Sequence, residues 1–205
     1  MDVGIQKSSG DRAPIEKSTN EARQGVTGNN VKYVLAISLG AVVLNERVPA
    51  ALALLPASMR PVVTHQAGEK HLETLRAAYR AAGVDAECLA FITDMARRYA
   101  EADLVIARSG GLTVAELAVV GIGAVLVPLP GAIADEQSAN ARFLSEAGGA
   151  MLIPQAELTP ERLARVMGET SRERLLELAI AARRVARPDA AERVAAACVA
   201  EARGA

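Results

Sequence analysis

Aromatic residues are nearly missing from this chain. Three tyrosines, two phenylalanines and no tryptophan make up the set in 205 residues. A protein that reads single-stranded nucleic acid stacks bases on several aromatic rings, and that platform cannot be assembled from so few. Charge of one sign is lacking as well: 23 Lys and Arg against 24 Asp and Glu leave a net −1, so there is no basic footprint for a phosphate backbone. Nucleic acid is therefore not expected as a partner. Cysteine is scarce, with Cys88 and Cys198 standing far apart and without neighbouring histidines. That spacing excludes the familiar zinc patterns, and a reduced, cytoplasmic protein is the simple expectation. No metal or cofactor is expected. No apolar run is long enough to span a bilayer, and the first residues carry Asp2, Lys7, Asp11 and Arg12 where a signal peptide would be apolar. Contact with a membrane is expected to be peripheral, at the cytoplasmic face.

What is present is aliphatic: 51% of the residues are hydrophobic, enough to bury a core. Residues 1–30 are polar, rich in Ser, Gly and Asn, and read as a flexible tail or leader. From Val31 onward, short aliphatic runs alternate with helix-like stretches. Strands are expected at 31–37, 61–65, 85–90, 103–107, 124–129 and 150–153. Helices are expected at 42–55, 70–82, 93–100, 113–121 and 135–147. Near-continuous apolar strands separated by helices indicate an α/β fold, a doubly wound, Rossmann-like parallel sheet covered on both faces. After Pro154 three further helices follow, at 159–168, 171–186 and 189–202. Thr159 before Pro160, and Pro188 before Asp189, signal the starts of the first and third. In the last, Val194, Cys198 and Ala202 recur at fourfold spacing and are expected to lay one stripe on the sheet.

In such a fold a ligand lies beyond the carboxyl ends of the strands, so the loops that follow them are the candidates. The most informative is Arg108-Ser109-Gly110-Gly111-Leu112-Thr113-Val114-Ala115-Glu116, a strand, glycine turn and helix start. Backbone N–H groups at such a helix start attract anions. Thr113 and Glu116 have the spacing of a capping box, in which each side chain bonds the other's backbone N–H. Alternatively, Glu116 faces the hydroxyls of a ligand. Ser38 and Gly40 precede another helix, where Ser38 suits either a plain cap or a phosphate contact. Gln137 and Asn140 stand three apart on one helix face, as sugar-binding amides or as an exposed polar face. His65 and His71 cannot pair on a metal, and His65 reads as a strand-end residue instead of a general base. Neither a Gly-x-Gly-x-x-Gly dinucleotide fingerprint nor a Walker lysine occurs.

Five ordered segments now carry a family likeness: His65-Gln-Ala-Gly68, Phe91-Ile-Thr-Asp-Met95, Arg108 to Glu116, Asp135-Glu-Gln-Ser-Ala-Asn140 and Pro188-Asp-Ala-Ala-Glu-Arg-Val194. Together, across residues 31–203, they resemble the C-terminal domain of the MurG family of GT-B glycosyltransferases. These are hexosyltransferases at the cytoplasmic membrane face that move GlcNAc from UDP-GlcNAc onto undecaprenyl-pyrophosphoryl-MurNAc-pentapeptide, lipid I, for peptidoglycan synthesis and hence cell-wall shape and division. The resemblance implies that residues 31–205 form a UDP-GlcNAc-binding domain. Ile92 would lie against the uracil, Gly111, Leu112, Thr113, Val114, Ala115 and Glu116 would wrap the nucleotide with Glu116 on the ribose, Ser38 would meet the diphosphate, and Gln137 and Asn140 would hold the GlcNAc.

Three departures accompany the likeness. Ala36 and Ile37 stand where the family has two glycines, Gly131 stands where a histidine is common, and the family's interdomain segment, with an arginine that helps bind the donor, is not recognisable before Val31. The family's N-terminal domain, which holds the acceptor and the proposed catalytic base, has no counterpart in the sequence. No catalytic residue is therefore assigned here. A truncated or split donor half, inactive without an acceptor domain, is the first expectation. The alternative is a non-catalytic nucleotide-sugar-binding module or decayed duplicate.

Overall fold

The computed structural model describes residues 31–37, 41–132 and 135–204. The expected tail at 1–30, and Ser38 and Gly40 with it, lie outside the described residues. Six strands form one sheet: β1 (Tyr33–Ile37), β2 (Val62–Gln66), β3 (Glu87–Leu89), β4 (Leu104–Ala107), β5 (Gly123–Leu126) and β6 (Ala150–Leu152). Their spatial order is β3-β2-β1-β4-β5-β6 and every pairing is parallel, which is the doubly wound arrangement the sequence predicts. Eight α-helices are described: α1 (Val42–Ala53), α2 (Leu72–Ala82), α3 (Met95–Glu101), α4 (Gly111–Val120), α5 (Glu136–Glu146), α6 (Pro160–Glu169), α7 (Arg172–Arg184) and α8 (Ala190–Gly204).

Strand residues alternate between two apolar clusters, one on each face of the sheet. Val34, Ala36, Val63, Leu104 and Ile106 join residues of α1, α2 and α6 in the first. Leu35, Val105, Ala107, Leu126 and Ala124 join residues of α3, α4 and α5 in the second. Alternation with both faces apolar is what a central parallel strand requires, and β4 and β5 are buried at every position. The order in which strands are added reverses between β1 and β4, which pair side by side in parallel through Ile37 and Ala107 at their carboxyl ends. That reversal opens the crevice where ligands of this fold bind.

Helix starts follow the side-chain oxygens available to them. Asp94, Thr159 and Ser171 each accept a hydrogen bond from the N–H three residues on, at 3.2 Å, and so cap α3, α6 and α7. Gly83 and Gly121 end α2 and α4 in the left-handed conformation that side chains disfavour.

Two expectations are overturned. Helix α4 begins at Gly111, with Gly110 as its cap residue and no side-chain cap bond. Thr113 therefore lies inside the first turn, and the capping box between Thr113 and Glu116 does not form, because that box needs its threonine at the cap position. The second concerns α8: it leaves the body of the protein, and every residue of 190–203 is exposed. Val194 is 64% exposed and Cys198 is exposed, so the stripe expected to lie on the sheet instead faces outward. The sheet faces are already covered by α1 to α7. No helix of the described residues is long and apolar enough to cross a membrane.

Candidate functional site

The carboxyl ends of β1, β4 and β5 meet at one edge of the sheet, and their following loops are bound to one another by polar side chains. Arg108, directly after β4, donates to the Val127 carbonyl at 3.2 Å, to the Pro128 carbonyl at 3.0 Å and to Gln155 Oε1 at 2.6 Å. One planar guanidinium thus fixes the loops after β4, β5 and β6 together. Partial burial lowers its pKa from the ordinary value without threatening its charge. Ser109, fully buried, donates from Oγ to the Gln137 carbonyl at 2.7 Å. Asn140 Nδ2 returns a bond to the Ser109 carbonyl at 3.1 Å. Leu129 N–H donates to Gln137 Oε1 at 3.0 Å.

Gln137 and Asn140 thus share a face of α5, as their spacing predicts, but each uses half of its amide to hold the loops. Planarity of the amide dictates what is left to offer. Gln137 presents its Nε2 donor and Asn140 its Oδ1 acceptor.

At the start of α4 the residues Gly110 and Gly111 have ordinary negative backbone angles. A Cβ on Gly111 would come no nearer than 3.8 Å to Asn140 Nδ2, and one on Gly110 no nearer than 3.9 Å to Thr113 Oγ1. Neither backbone conformation nor protein packing demands glycine here. What the two glycines do is leave the helix N-terminus, with its N–H groups at Gly111, Leu112 and Thr113, open to close approach from outside. Leu112 is 83% exposed beside it, Ala115 is exposed, and Thr113 is partly buried. Val114 faces the core, and its N–H is bonded to the Gly110 carbonyl.

Glu116, one turn further, is exposed, and its Oε2 accepts a 2.9 Å hydrogen bond from the Tyr99 hydroxyl. Tyr99 is buried in the second cluster. Burial, and then the neighbouring Glu116 carboxylate, raises the phenol's pKa well above its ordinary value, so the hydroxyl stays a donor. Ile92 also has its side chain in that cluster, and its N–H donates to Gln66 Oε1 at 2.8 Å. What Ile92 can present to a ligand is main chain. Sequence reasoning did not single out Tyr99, Gln66 or Arg108 for these roles, since each acts on a residue distant in the chain. Ala36 and Ile37, the residues at the family's glycine positions, pack into the first cluster and against the second.

His65 lies near the end of β2, as its reading as a strand-end residue expects. It is fully buried, its Nδ1 is 2.9 Å from the Tyr79 hydroxyl, and the two rings meet edge to face at 5.8 Å. Burial lowers its pKa to about 3, which keeps the imidazole neutral and out of acid–base chemistry.

The Glycosyltransferase family 28 C-terminal domain matches residues 33–194. A UDP-N-acetylglucosamine--N-acetylmuramyl-(pentapeptide) pyrophosphoryl-undecaprenol N-acetylglucosamine transferase from Aromatoleum aromaticum is 56% identical over 174 residues, 85% of this chain and 49% of that protein. The protein of the same name from Neisseria gonorrhoeae is 51% identical over 180 residues, 88% of this chain and 51% of its own length. Among solved structures, MurG of Acinetobacter baumannii superposes with a TM-score of 0.73 at 42% identity, covering 80% of this chain and 50% of that one. A kitacinnamycin glycotransferase, at 21% identity and TM-score 0.52, shares the fold. The chain spans about half the length of the relatives it matches. Sheet order, glycine-opened helix and a match across most of the sequence agree, and the chain belongs to glycosyltransferase family 28 through its C-terminal domain.

Proposed function

We propose that this chain binds UDP-GlcNAc at the carboxyl ends of β1, β4 and β5 and forms the donor half of a MurG-type GlcNAc transferase, with lipid I as the acceptor. The observation that carries this reading is the α4 N-terminus, opened by two glycines that the protein's own packing does not require. Gly111 to Thr113 offer backbone N–H groups and the positive end of the helix to the nucleotide, and Ser38 would add its hydroxyl at the diphosphate. Glu116 takes the ribose hydroxyls, Ile92 meets the uracil through its main chain, and Gln137 and Asn140 offer a donor and an acceptor to the sugar. Val114 holds this arrangement from the core side, while Ala115 lies on the exposed face between Val114 and Glu116.

Transfer forms a bond from the acceptor hydroxyl to the anomeric carbon and breaks the bond from that carbon to the diphosphate. Negative charge develops on departing UDP, and donors already aimed at it lower the barrier. The base that takes the acceptor proton is assigned to the half of the relatives that this chain does not span. The work would take place at the cytoplasmic membrane face, with lipid I reached through that other half.

A second reading, a nucleotide-sugar-binding module without transfer, draws on Ala36 and Ile37 at the glycine positions of the family. Isothermal titration with UDP-GlcNAc tests the shared core of both. Saturable binding is expected, with Glu116→Ala weakened by about 1.5–3 kcal/mol, the range for a hydrogen bond to a charged group. A folded sample that gives no saturation at millimolar ligand overturns the donor-site reading. Adding the N-terminal half of a relative and assaying product from lipid I then separates transferase from module.

A further inference from the structure

We propose that Tyr99 is a positioning residue for the nucleotide site, holding the Glu116 carboxylate at the angle from which it receives a ribose diol. The inference rests on the assignment of Glu116 to the ribose. A carboxylate on an exposed helix face has three side-chain torsions to sample, and ordering them on binding costs free energy that weakens the complex. Here one oxygen is already fixed: Oε2 lies 2.9 Å from the hydroxyl of a tyrosine that is itself 3% exposed. The phenol belongs to the second buried cluster, which also holds Leu35, Ile92, Val105 and Leu117, so close packing holds the anchor in place. A cis-diol presents two donors side by side, which match the two oxygens of one carboxylate when its plane is set beforehand.

Tyr99 also connects the two ends of the nucleoside. It shares its cluster with Ile92, the residue assigned to the base, and its hydroxyl reaches the residue assigned to the ribose. The plain alternative is a buried phenol that needs an acceptor and finds the nearest one. The two differ in what happens when the ribose hydroxyls are removed from the ligand.

The test titrates UDP and 2′,3′-dideoxy-UDP into the full chain, Tyr99→Phe, Glu116→Ala and the double variant, with circular dichroism to verify the fold. Tyr99→Phe removes one oxygen and keeps the ring. It is expected to weaken UDP binding about tenfold, just below the range for one hydrogen bond to a charged group because the lost bond orients Glu116 and does not touch the ligand. Both single variants should bind the dideoxy analogue within about twofold of the parent, and the double variant should bind UDP no more weakly than Glu116→Ala alone, since coupled residues are not additive. An effect of Glu116→Ala on UDP with none of Tyr99→Phe overturns the role of Tyr99 and leaves the ribose assignment standing. Equal losses of Tyr99→Phe on both ligands overturn it too, because they report general distortion. No effect of Glu116→Ala overturns the ribose assignment and this inference together.

Discussion

Single residues in this protein owe their behaviour to what surrounds them, and the two buried rings of His65 and Tyr79 make the point in measurable form. His65 has no exposure, and its pKa falls to about 3 from the ordinary 6.5 because burial opposes the charged form. In the unfolded chain the imidazole takes up a proton below pH 6.5, while in the folded chain it stays neutral. The unfolded state therefore binds more protons in the window between pH 6.5 and about 3, and stability falls as pH falls through it. A slope of about 1.4 kcal/mol per pH unit is expected from this group between pH 6 and 5, above the range where carboxylates titrate. Urea denaturation of the parent and His65→Leu across that interval checks it. The variant should lose about 1–3 kcal/mol at pH 8, from the orphaned Tyr79 hydroxyl, and should show a flatter pH dependence. Equal slopes for the two proteins would refute the assignment.

Elements are joined in this fold by a few side chains placed where several element ends converge. Asp103, just before β4, accepts bonds at 3.0 Å from the N–H groups of Lys32 and Tyr33 at the start of β1, and pairs with Arg172 at the start of α7. Its side chain is 8% exposed, so the two N–H donors and the guanidinium share a carboxylate largely removed from water. Asp103→Ala is expected to destabilise the chain by about 2–4 kcal/mol, read as a lower urea midpoint at unchanged slope. A loss under about 0.5 kcal/mol, ordinary for a surface change, would show that the three ends hold without it. The sequence displayed the elements but not this junction. Apolar runs and the cap Thr159 are local signals, so strands and helices could be placed within a few residues. Asp103 looked like a strand-start residue because its partners lie about seventy positions away in either direction. The start of α4 was misplaced for a similar reason: Thr113 and Glu116 imitate a capping box, whereas the cap is Gly110 and Glu116 is engaged by Tyr99 from another helix. For the candidate site, the loops were legible from the strand ends. The orientation of each side chain was not, since Gln137, Asn140 and Ile92 are set by cross-loop bonds and burial.

At the scale of the whole molecule, the sheet divides the interior into two clusters, and the candidate site sits at the edge formed by the carboxyl ends of its central strands. The loops after β4, β5 and β6 reach that edge from three separate strands, and Arg108 holds them in one arrangement. A ligand recognised by this arrangement has no counterpart site in the unfolded chain, where the loops are dispersed. Binding must then raise global stability by mass action, whatever the chain's capacity for transfer. At a hundredfold excess of UDP over its dissociation constant the gain is about 2.7 kcal/mol. For a chain of this size each kilocalorie shifts the midpoint by about 2–4 °C, so a rise of about 5–10 °C in Tm is expected in a thermal melt with UDP. Glu116→Ala, melted at the same UDP concentration, should rise less because its dissociation constant is larger. A parent chain that melts cooperatively at the same temperature with and without millimolar UDP would mean that the strand-end loops, although fixed by Arg108, do not form a nucleotide site.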